Sequence, residues 1–530
     1  MEKTILIGGE AGLGSAVTSH FIGKIFASLG YYVFNYRDYP SLIRGGHNFN
    51  ILKISDKPVY SHEYKYDFIL ALDQKTIDIH KKDLKKGGLV FKSKEMEPKI
   101  LANDVLIGLL FKHFGVNLDI LFTASEKVFG KKADLIKKAI EDGYQSGSQK
   151  EPIRRGSGQE KYFISGTEGI GIGSIAAGLD VYLAYPMTPT TPLLTFFAKR
   201  QLENNILVFQ PENEMAVINA ALGASFAGAK AMVGTSGGGF ALMTEGLSLA
   251  AMTELPLVIY LGQRPAPATG LATHTAQGDL KFALNAGHGE FLRVVLAPGD
   301  AKEAAVRTQE AFYLTNKYRI PVILLGDKHL AESNYTFDEI EKSVLTESRF
   351  ILENPPQDYK SYKITENGIS PRAVPGQGPI VLANSYEHND YGHTIEDSAW
   401  AVKMQDKRFK KINYLKKEIG KLNPVSVYGR GSNLLISHGS TKGALLDALP
   451  QLKNFRFLQI SYLKPFPAEM VSREIKKSKK VILVENSATG ALADVIKEET
   501  GIVIKNKILK YDGRPFIPED IIKSIKKIKR

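Results

Sequence analysis

Ala184-Tyr-Pro-Met-Thr-Pro-Thr-Thr-Pro192 and Gln210-Pro-Glu-Asn-Glu-Met-Ala-Val-Ile-Asn-Ala-Ala-Leu-Gly-Ala-Ser225 carry the most structural information in this chain. The first holds closely spaced X-Pro steps around Thr188, which forces extended or turn backbone and leaves a hydroxyl donor on a rigid turn. In the second, Glu214 stands ahead of an apolar, small-residue run suited to a buried helix. A carboxylate buried there is costly unless something binds it. An acid that only complements the helix dipole is the plainer reading, and Glu212 could fill that role.

Outward from these blocks the chain alternates helix and strand patterns. We expect helix 169–178, strand 180–184, helix 213–227, strand 230–234, helix 241–251, strand 256–261, helix 301–316 and the strand Ile320–Leu325. That alternation predicts an open parallel sheet with helices on its faces. Upstream, strand 4–8 leads through Gly8-Gly-Glu-Ala-Gly-Leu-Gly14 into a helix ending near Leu29, then a strand at 31–36. This reads as a second βαβ unit, with further strands at 51–54, 68–72 and 88–92 and helices at 103–115 and 132–142. Downstream, 340–420 is irregular apart from a helix at 394–420, and a third α/β unit begins near Asn433. The expected domains are 1–145, a Gly/Ser-rich linker 146–160, then 161–335, a connecting segment 336–424, and 425–530. The fold class is α/β, with three mostly parallel open-sheet domains.

At 530 residues the chain is too long for one core. Its 43% hydrophobic and 24% charged content fit a soluble globular protein. No apolar run reaches the ~20 residues of a membrane span. The opening residues enter a strand pattern directly, so we expect no secretory signal and a cytoplasmic location. There are no cysteines, which excludes disulfides, thiol nucleophiles and iron–sulfur clusters held by this chain's own thiolates. The net charge of +13 lies in scattered lysines without a nucleic-acid motif, so solvated faces are expected and nucleic acid is not.

Several residues are candidates for chemistry. Arg264 follows the strand Leu257–Leu261, and loops at the carboxyl ends of parallel strands are where ligands bind. A guanidinium there can clamp a carboxylate with two hydrogen bonds. Gly8–Gly14 is either an anion cradle or a tight structural turn. Gly166-Thr-Glu-Gly-Ile-Gly-Ile-Gly173 is either a nucleotide loop or a helix start. Arg44, in Ser41-Leu-Ile-Arg-Gly-Gly-His47, reads as a structural or interface arginine. His288 is either a loop or a site histidine. His388 and His393 admit a metal site, but a loop covering the active site is preferred.

The opening blocks resemble the pyrimidine-binding domain of thiamine-diphosphate enzymes, and more closely the α subunit of 2-oxoacid:ferredoxin oxidoreductases. Gly223, nine residues after Glu214, fits, as do Arg264 with Thr273, Thr275-Ala-Gln-Gly-Asp-Leu280 and Gly287-His-Gly-Glu290. Residues 1–145 resemble the γ domain of that family. Ser437-His-Gly-Ser-Thr441, Leu463-Lys-Pro-Phe-Pro467, Glu485-Asn-Ser-Ala-Thr-Gly490 and Lys510-Tyr-Asp-Gly-Arg-Pro-Phe516 resemble its transketolase-C-terminal-like domain. Pro265, Ala266, Ala268 and Ala272 depart from the family's Arg-Gly-Gly-Pro-Ser-Thr-Gly-Leu-Pro-Thr loop, which leaves substrate size open.

The resemblance implies that Glu214 hydrogen-bonds N1′ of the cofactor's aminopyrimidine and promotes loss of the C2 proton. It makes Tyr185 and Pro186 cofactor contacts and Thr188, Arg264 and Thr273 substrate contacts. The diphosphate motif of thiamine enzymes, Gly-Asp-Gly with a later Asn, is missing from this sequence. The resemblance therefore implies a β subunit carrying that motif, Mg and a 4Fe–4S cluster. It further implies coenzyme A as co-substrate, ferredoxin as acceptor, 2-oxoglutarate as the best-fitting 2-oxoacid, and a heterodimer or dimer of heterodimers. The competing reading is a non-catalytic scaffold or nucleotide-binding regulator built from α/β domains.

Overall fold

The computed structural model describes residues 1–40, 46–92, 101–153, 156, 159–339, 345 and 348–528. Three sheets organise them, of seven, seven and five strands. Most strand pairs are parallel, as expected.

The middle sheet holds the candidate site. Its order is Tyr462–Lys464, Val294–Leu296, Pro321–Asp327, Leu257–Gln263, Ala231–Ser236, Val181–Leu183, Leu207–Phe209. Every residue of Leu257–Gln263 and Pro321–Asp327 is buried, which is why these strands read as unbroken apolar runs rather than alternating ones. The edge strand Tyr462–Lys464 belongs to the C-terminal unit and runs antiparallel to Val294–Leu296. The two units thus share a sheet.

The first sheet departs from the expected βαβ arrangement. Helix Ser15–Ser28 leads to the strand Tyr32–Asp38, but His47–Ser55 lies between that strand and Glu2–Glu10, antiparallel to both. The connection from Asp38 to His47 is too short for the crossover a parallel neighbour needs. Only the pairs Glu2–Glu10 with Tyr66–Ala71, and Tyr66–Ala71 with Leu84–Lys92, are parallel in this sheet. The strand Tyr162–Ser165, expected to open the second unit, closes this sheet instead, through Asn334–Phe337.

The glycine run Gly166–Gly173 lies inside helix Gly166–Ala176, so the nucleotide-loop alternative does not hold. A Cβ at Gly169 or Gly173 would lie 2.2 or 2.3 Å from the carbonyl oxygens of Ala301 and Ala305. These glycines let two helices touch backbone to backbone.

The helix expected at 241–251 is two, Gly237–Leu242 and Thr244–Met252. Helix Leu118–Phe129 was not foreseen. The helix expected at 394–420 spans Ser398–Ile419, and a buried charge cluster anchors it. Glu254, 1% exposed, accepts from Lys407 and, at 2.6 Å, from Lys411. Burial alone would raise the Glu254 carboxyl, but the two ammonium groups hold it far below the usual range. No helix among the described residues is long and apolar enough to cross a membrane.

Candidate active site

Glu214 is the first residue of helix Glu214–Phe226, and Asn213 caps that helix by accepting from the Ala216 amide at 2.9 Å. The cap frees Glu214 from any capping role. Its side chain turns inward and is 3% exposed, and Oε1 has no partner among the described residues. Glu212 is exposed and is not the buried acid. Helix Gly237–Leu242, which follows strand Ala231–Ser236, begins against Glu214. A Cβ at Gly239 would lie 2.4 Å from Glu214 Oε1 and 2.1 Å from Thr235 Oγ1, so only glycine admits the carboxylate. A buried, unpartnered carboxylate oxygen is a binding group waiting for a donor.

Arg264 follows strand Leu257–Gln263 directly and donates to the Thr188 carbonyl at 2.9 Å. The Thr188–Pro189 peptide is cis, and a Cβ at Gly262 would lie within 2.9 Å of Pro189 Cγ. The Pro-containing turn therefore packs against the strand end that carries Arg264. Tyr185, 39% exposed, and the exposed Pro186 form the outer rim of this turn.

Asp279, within the Thr275–Leu280 stretch, joins this group. Its amide donates to Gln263 Oε1 at 3.0 Å, which folds the end of the loop back onto the strand. Burial lifts the Asp279 carboxyl to about 6, with Arg264 pulling the other way. Asp279 Oδ2 and Ser236 Oγ are both buried without a partner among the described residues. The signal that could have found this region is the Gly237-Gly-Gly239 run after a fully buried strand.

Thr273 is held elsewhere. Its hydroxyl faces His274 Nδ1 at 3.1 Å, in a recess lined also by Tyr36, Asp38, Lys328 and Arg514. The Arg514–Asp38 pair, at 2.9 Å, closes that recess between the first and third units. The loop between Arg264 and Thr273 is tightly folded. A Cβ at Gly270, with φ +54°, would lie 1.8 Å from the Pro265 carbonyl oxygen.

Gln277 ties the loop's later part to the C-terminal unit. Its Nε2 donates to the His438 carbonyl at 3.0 Å, and its Oε1 accepts from Thr441 at 2.9 Å and from the Asn486 amide at 3.0 Å.

Other candidates fall outside this cluster. Arg44 lies outside the described residues. His288 is a turn residue, its amide donating to Ser248 Oγ at 2.9 Å. His388 Nδ1 bonds the Tyr386 carbonyl at 2.8 Å while His393 is exposed. Among the described residues no group of three His, Cys, Asp or Glu could hold a metal. The segment with Ser385 and Glu387 lines a cleft with His288 and Glu290.

Comparison with known proteins fits this geometry. Residues 172–407 match the family model described as pyruvate flavodoxin/ferredoxin oxidoreductase, thiamine diphosphate-binding. Residues 4–101 match pyruvate ferredoxin/flavodoxin oxidoreductase. A Sulfolobus 2-oxoacid:ferredoxin oxidoreductase subunit alpha is 33% identical over 100% of this chain and 97% of its own length. The chain belongs to the 2-oxoacid:ferredoxin oxidoreductases, as an alpha-type subunit.

Two further relatives of this family extend the likeness. The solved 2-oxoglutarate:ferredoxin oxidoreductase of Magnetococcus marinus, with 2-oxoglutarate, coenzyme A and succinyl-CoA bound, is 28% identical. It superposes with a TM-score of 0.89 over 100% of both chains. The 2-oxoglutarate synthase subunit KorA of Methanothermobacter thermautotrophicus is 27% identical over 70% of this chain and 100% of its own. The Sulfolobus and Magnetococcus marinus proteins thus match the whole of this chain, all three units included.

Proposed function

We propose that this subunit binds the aminopyrimidine of thiamine diphosphate through Glu214 and the carboxylate of a 2-oxoacid through Arg264. The observation that carries the reading is the buried Glu214 Oε1, unpartnered among the described residues, at a helix start against Gly239. The residues present fit the cofactor, since the site offers an acceptor aimed at a donor that the chain itself does not supply. When bound, thiamine diphosphate supplies the electron sink for loss of CO2 from the 2-oxoacid. Glu214 holds a proton at N1′, Tyr185 and Pro186 border the pyrimidine, and Arg264 orients the substrate carboxylate beside Thr188. Thr273 is a substrate contact in this reading only if its loop rearranges toward Arg264.

A β subunit supplies the diphosphate motif, Mg and the 4Fe–4S cluster, because this chain has neither the motif nor a cysteine. Its docking face surrounds the Glu214 helix, where Tyr185, Phe209, Met215 and Leu242 are 39–52% exposed. Large apolar side chains exposed on neighbouring elements suit a surface that a partner covers. The cluster would supply the path for electrons to ferredoxin, and coenzyme A would serve as acyl acceptor. 2-Oxoglutarate is the favoured substrate, on the likeness to the two 2-oxoglutarate enzymes. The working assembly is a cytoplasmic heterodimer or dimer of heterodimers.

The test is co-expression with a β-type subunit of this family, followed by assay of thiamine, iron and 2-oxoacid-dependent reduction of a viologen dye. The complex turns over and the isolated chain does not. Turnover by the pure chain would overturn the two-subunit reading, and a complex inert toward every 2-oxoacid would overturn the activity.

A further inference from the structure

Arg264 opens the loop that leaves strand Leu257–Gln263, and the loop returns to the same strand end at Asp279. There the Asp279 amide donates to Gln263 Oε1 at 3.0 Å. Gln263 Nε2 donates to the Gly326 carbonyl at 3.2 Å, at the end of the paired strand Pro321–Asp327. The residue immediately before Arg264 is therefore clamped between a neighbouring strand and the far end of its own loop. Two positions before Asp279 stands Gln277, 1% exposed.

Every hydrogen bond of the Gln277 side chain among the described residues crosses to the C-terminal unit. Nε2 donates to the His438 carbonyl at 3.0 Å, and Oε1 accepts from Thr441 Oγ1 at 2.9 Å and from the Asn486 amide at 3.0 Å. The Gln277 amide donates to the Asn486 carbonyl at 2.7 Å. The His438 carbonyl needs a donor, while Thr441 and Asn486 need an acceptor. A side-chain amide meets both demands, and a carboxylate or a thioether does not. A Cβ at Gly439 would lie 2.8 Å from Gln277 Nε2, so the C-terminal unit closes directly on this side chain. Beside it the Thr275 amide donates to the Gly513 carbonyl at 3.1 Å, and Ser440 Oγ donates to Asp327 Oδ2 at 2.6 Å. A buried network satisfied in this way is rigid. The C-terminal unit makes no hydrogen bond or ion pair of its own to Arg264 among the described residues; what it holds is the loop.

We infer that Gln277 is a positioning residue for the 2-oxoacid. Through it the C-terminal unit fixes the loop end at Asp279 against Gln263, and so sets where Arg264 meets the substrate carboxylate. This rests on the functional reading given above, in which Arg264 binds that carboxylate. The C-terminal unit thereby takes part in substrate recognition without touching the substrate arginine. Loss of the Gln277 bonds frees the loop end, the Gln263 clamp loosens, and the guanidinium no longer waits in one place. Substrate binding must then order it again, which raises KM rather than lowering kcat.

The experiment is a double-mutant cycle in the assembled complex, with 2-oxoglutarate or pyruvate varied and coenzyme A and dye saturating. Gln277→Met keeps the length of the side chain and removes its hydrogen bonds. It lowers kcat/KM for the 2-oxoacid about tenfold or more, mainly through KM, since a misplacement of about 1 Å can cost up to ~10²-fold. In an Arg264→Lys complex the same change costs less than about twofold, because residues that act through one another do not have additive effects. A residue with a purely structural role would lower the melting temperature and multiply its loss with that of Arg264→Lys. An unchanged KM in Gln277→Met, or losses that multiply in the double variant, overturns the inference. If Gln277→Met does not assemble, Thr441→Val takes its place in the cycle, removing one of the same bonds from the other side. Absence of turnover with every 2-oxoacid, or an Arg264→Lys complex of full efficiency, overturns the functional reading. Multiplying losses with an impaired Arg264→Lys overturn this inference alone.

Discussion

The Arg264 guanidinium donates to the Thr188 carbonyl at 2.9 Å, joining two loops that are 76 residues apart in sequence. The loops follow Val181–Leu183 and Leu257–Gln263, which are not neighbours; Ala231–Ser236 lies between them. Both leave the carboxyl ends of parallel strands on one edge of the sheet, where open α/β sheets bind ligands. The bond holds the guanidinium beside the Pro turn, with no further hydrogen bond to it among the described residues.

Replacing Arg264 by Lys should therefore raise KM for the 2-oxoacid more than it lowers kcat. Lysine keeps the charge but loses the planar fork that serves a carbonyl and a carboxylate together. A charged hydrogen bond of this kind is worth roughly 1.5–3 kcal/mol, which corresponds to tenfold or more in kcat/KM. Steady-state kinetics across several 2-oxoacids check it. Unchanged efficiency with all of them would make Arg264 a loop anchor only.

Glu214→Gln should leave assembly intact and slow turnover by ~10²–10⁴-fold, the usual range for lost acid–base assistance. The isosteric amide still fits beneath Gly239, so the fold is spared. Exchange of the bound cofactor's C2 proton, followed by NMR, gives the direct readout. Exchange at the wild-type rate would remove Glu214 from the chemistry.

Gly223 tests the docking face. It lies on the exposed side of the Glu214 helix, and a Cβ there meets nothing within 4 Å. A helix interior favours almost any residue over glycine by up to ~1 kcal/mol. Gly223→Leu should thus keep or raise the melting temperature of the isolated chain, yet weaken its co-purification with the β subunit. Normal assembly of the variant would mean that the partner docks elsewhere.

The sequence singles out individual side chains more readily than it encodes the fold's joints. Glu214 was legible because a charged residue heading an apolar, small-residue run conflicts with local propensity, and such conflicts mark binding sites. Arg264 was legible from its place after an apolar strand. Thr273 was not placed well. Its spacing from Arg264 carries no information about a loop folded back at Gly270. The antiparallel pairing of His47–Ser55, and the lending of Tyr162–Ser165 and Tyr462–Lys464 to neighbouring sheets, are long-range choices that no local periodicity encodes. The closeness of Asp279 to Gly237 is likewise a tertiary contact that no local pattern encodes.

The Glu254 cluster predicts how the connecting segment is held. Lys407 and Lys411 reach from helix Ser398–Ile419 to one carboxylate, all three at most 2% exposed. Glu254→Gln would leave two buried ammonium groups with no counter-charge, and breaking a buried pair in this way costs about 3–5 kcal/mol. Lys411→Met should cost less, because Lys407 still serves the carboxylate. The pH dependence separates the two. The Glu254 carboxyl is held below its unfolded value, so its contribution is present above about pH 4.3 and is lost as pH falls through the lower folded value. In Glu254→Gln the lysines dominate. Burial pulls Lys407 and Lys411 below the ordinary lysine range, so the unfolded chain binds more protons there and stability rises with pH toward about 10. Thermal melts at neutral and alkaline pH should therefore show Glu254→Gln recovering part of its loss as the lysines neutralise. A deficit that stays constant with pH would mean that the cluster acts through packing rather than charge.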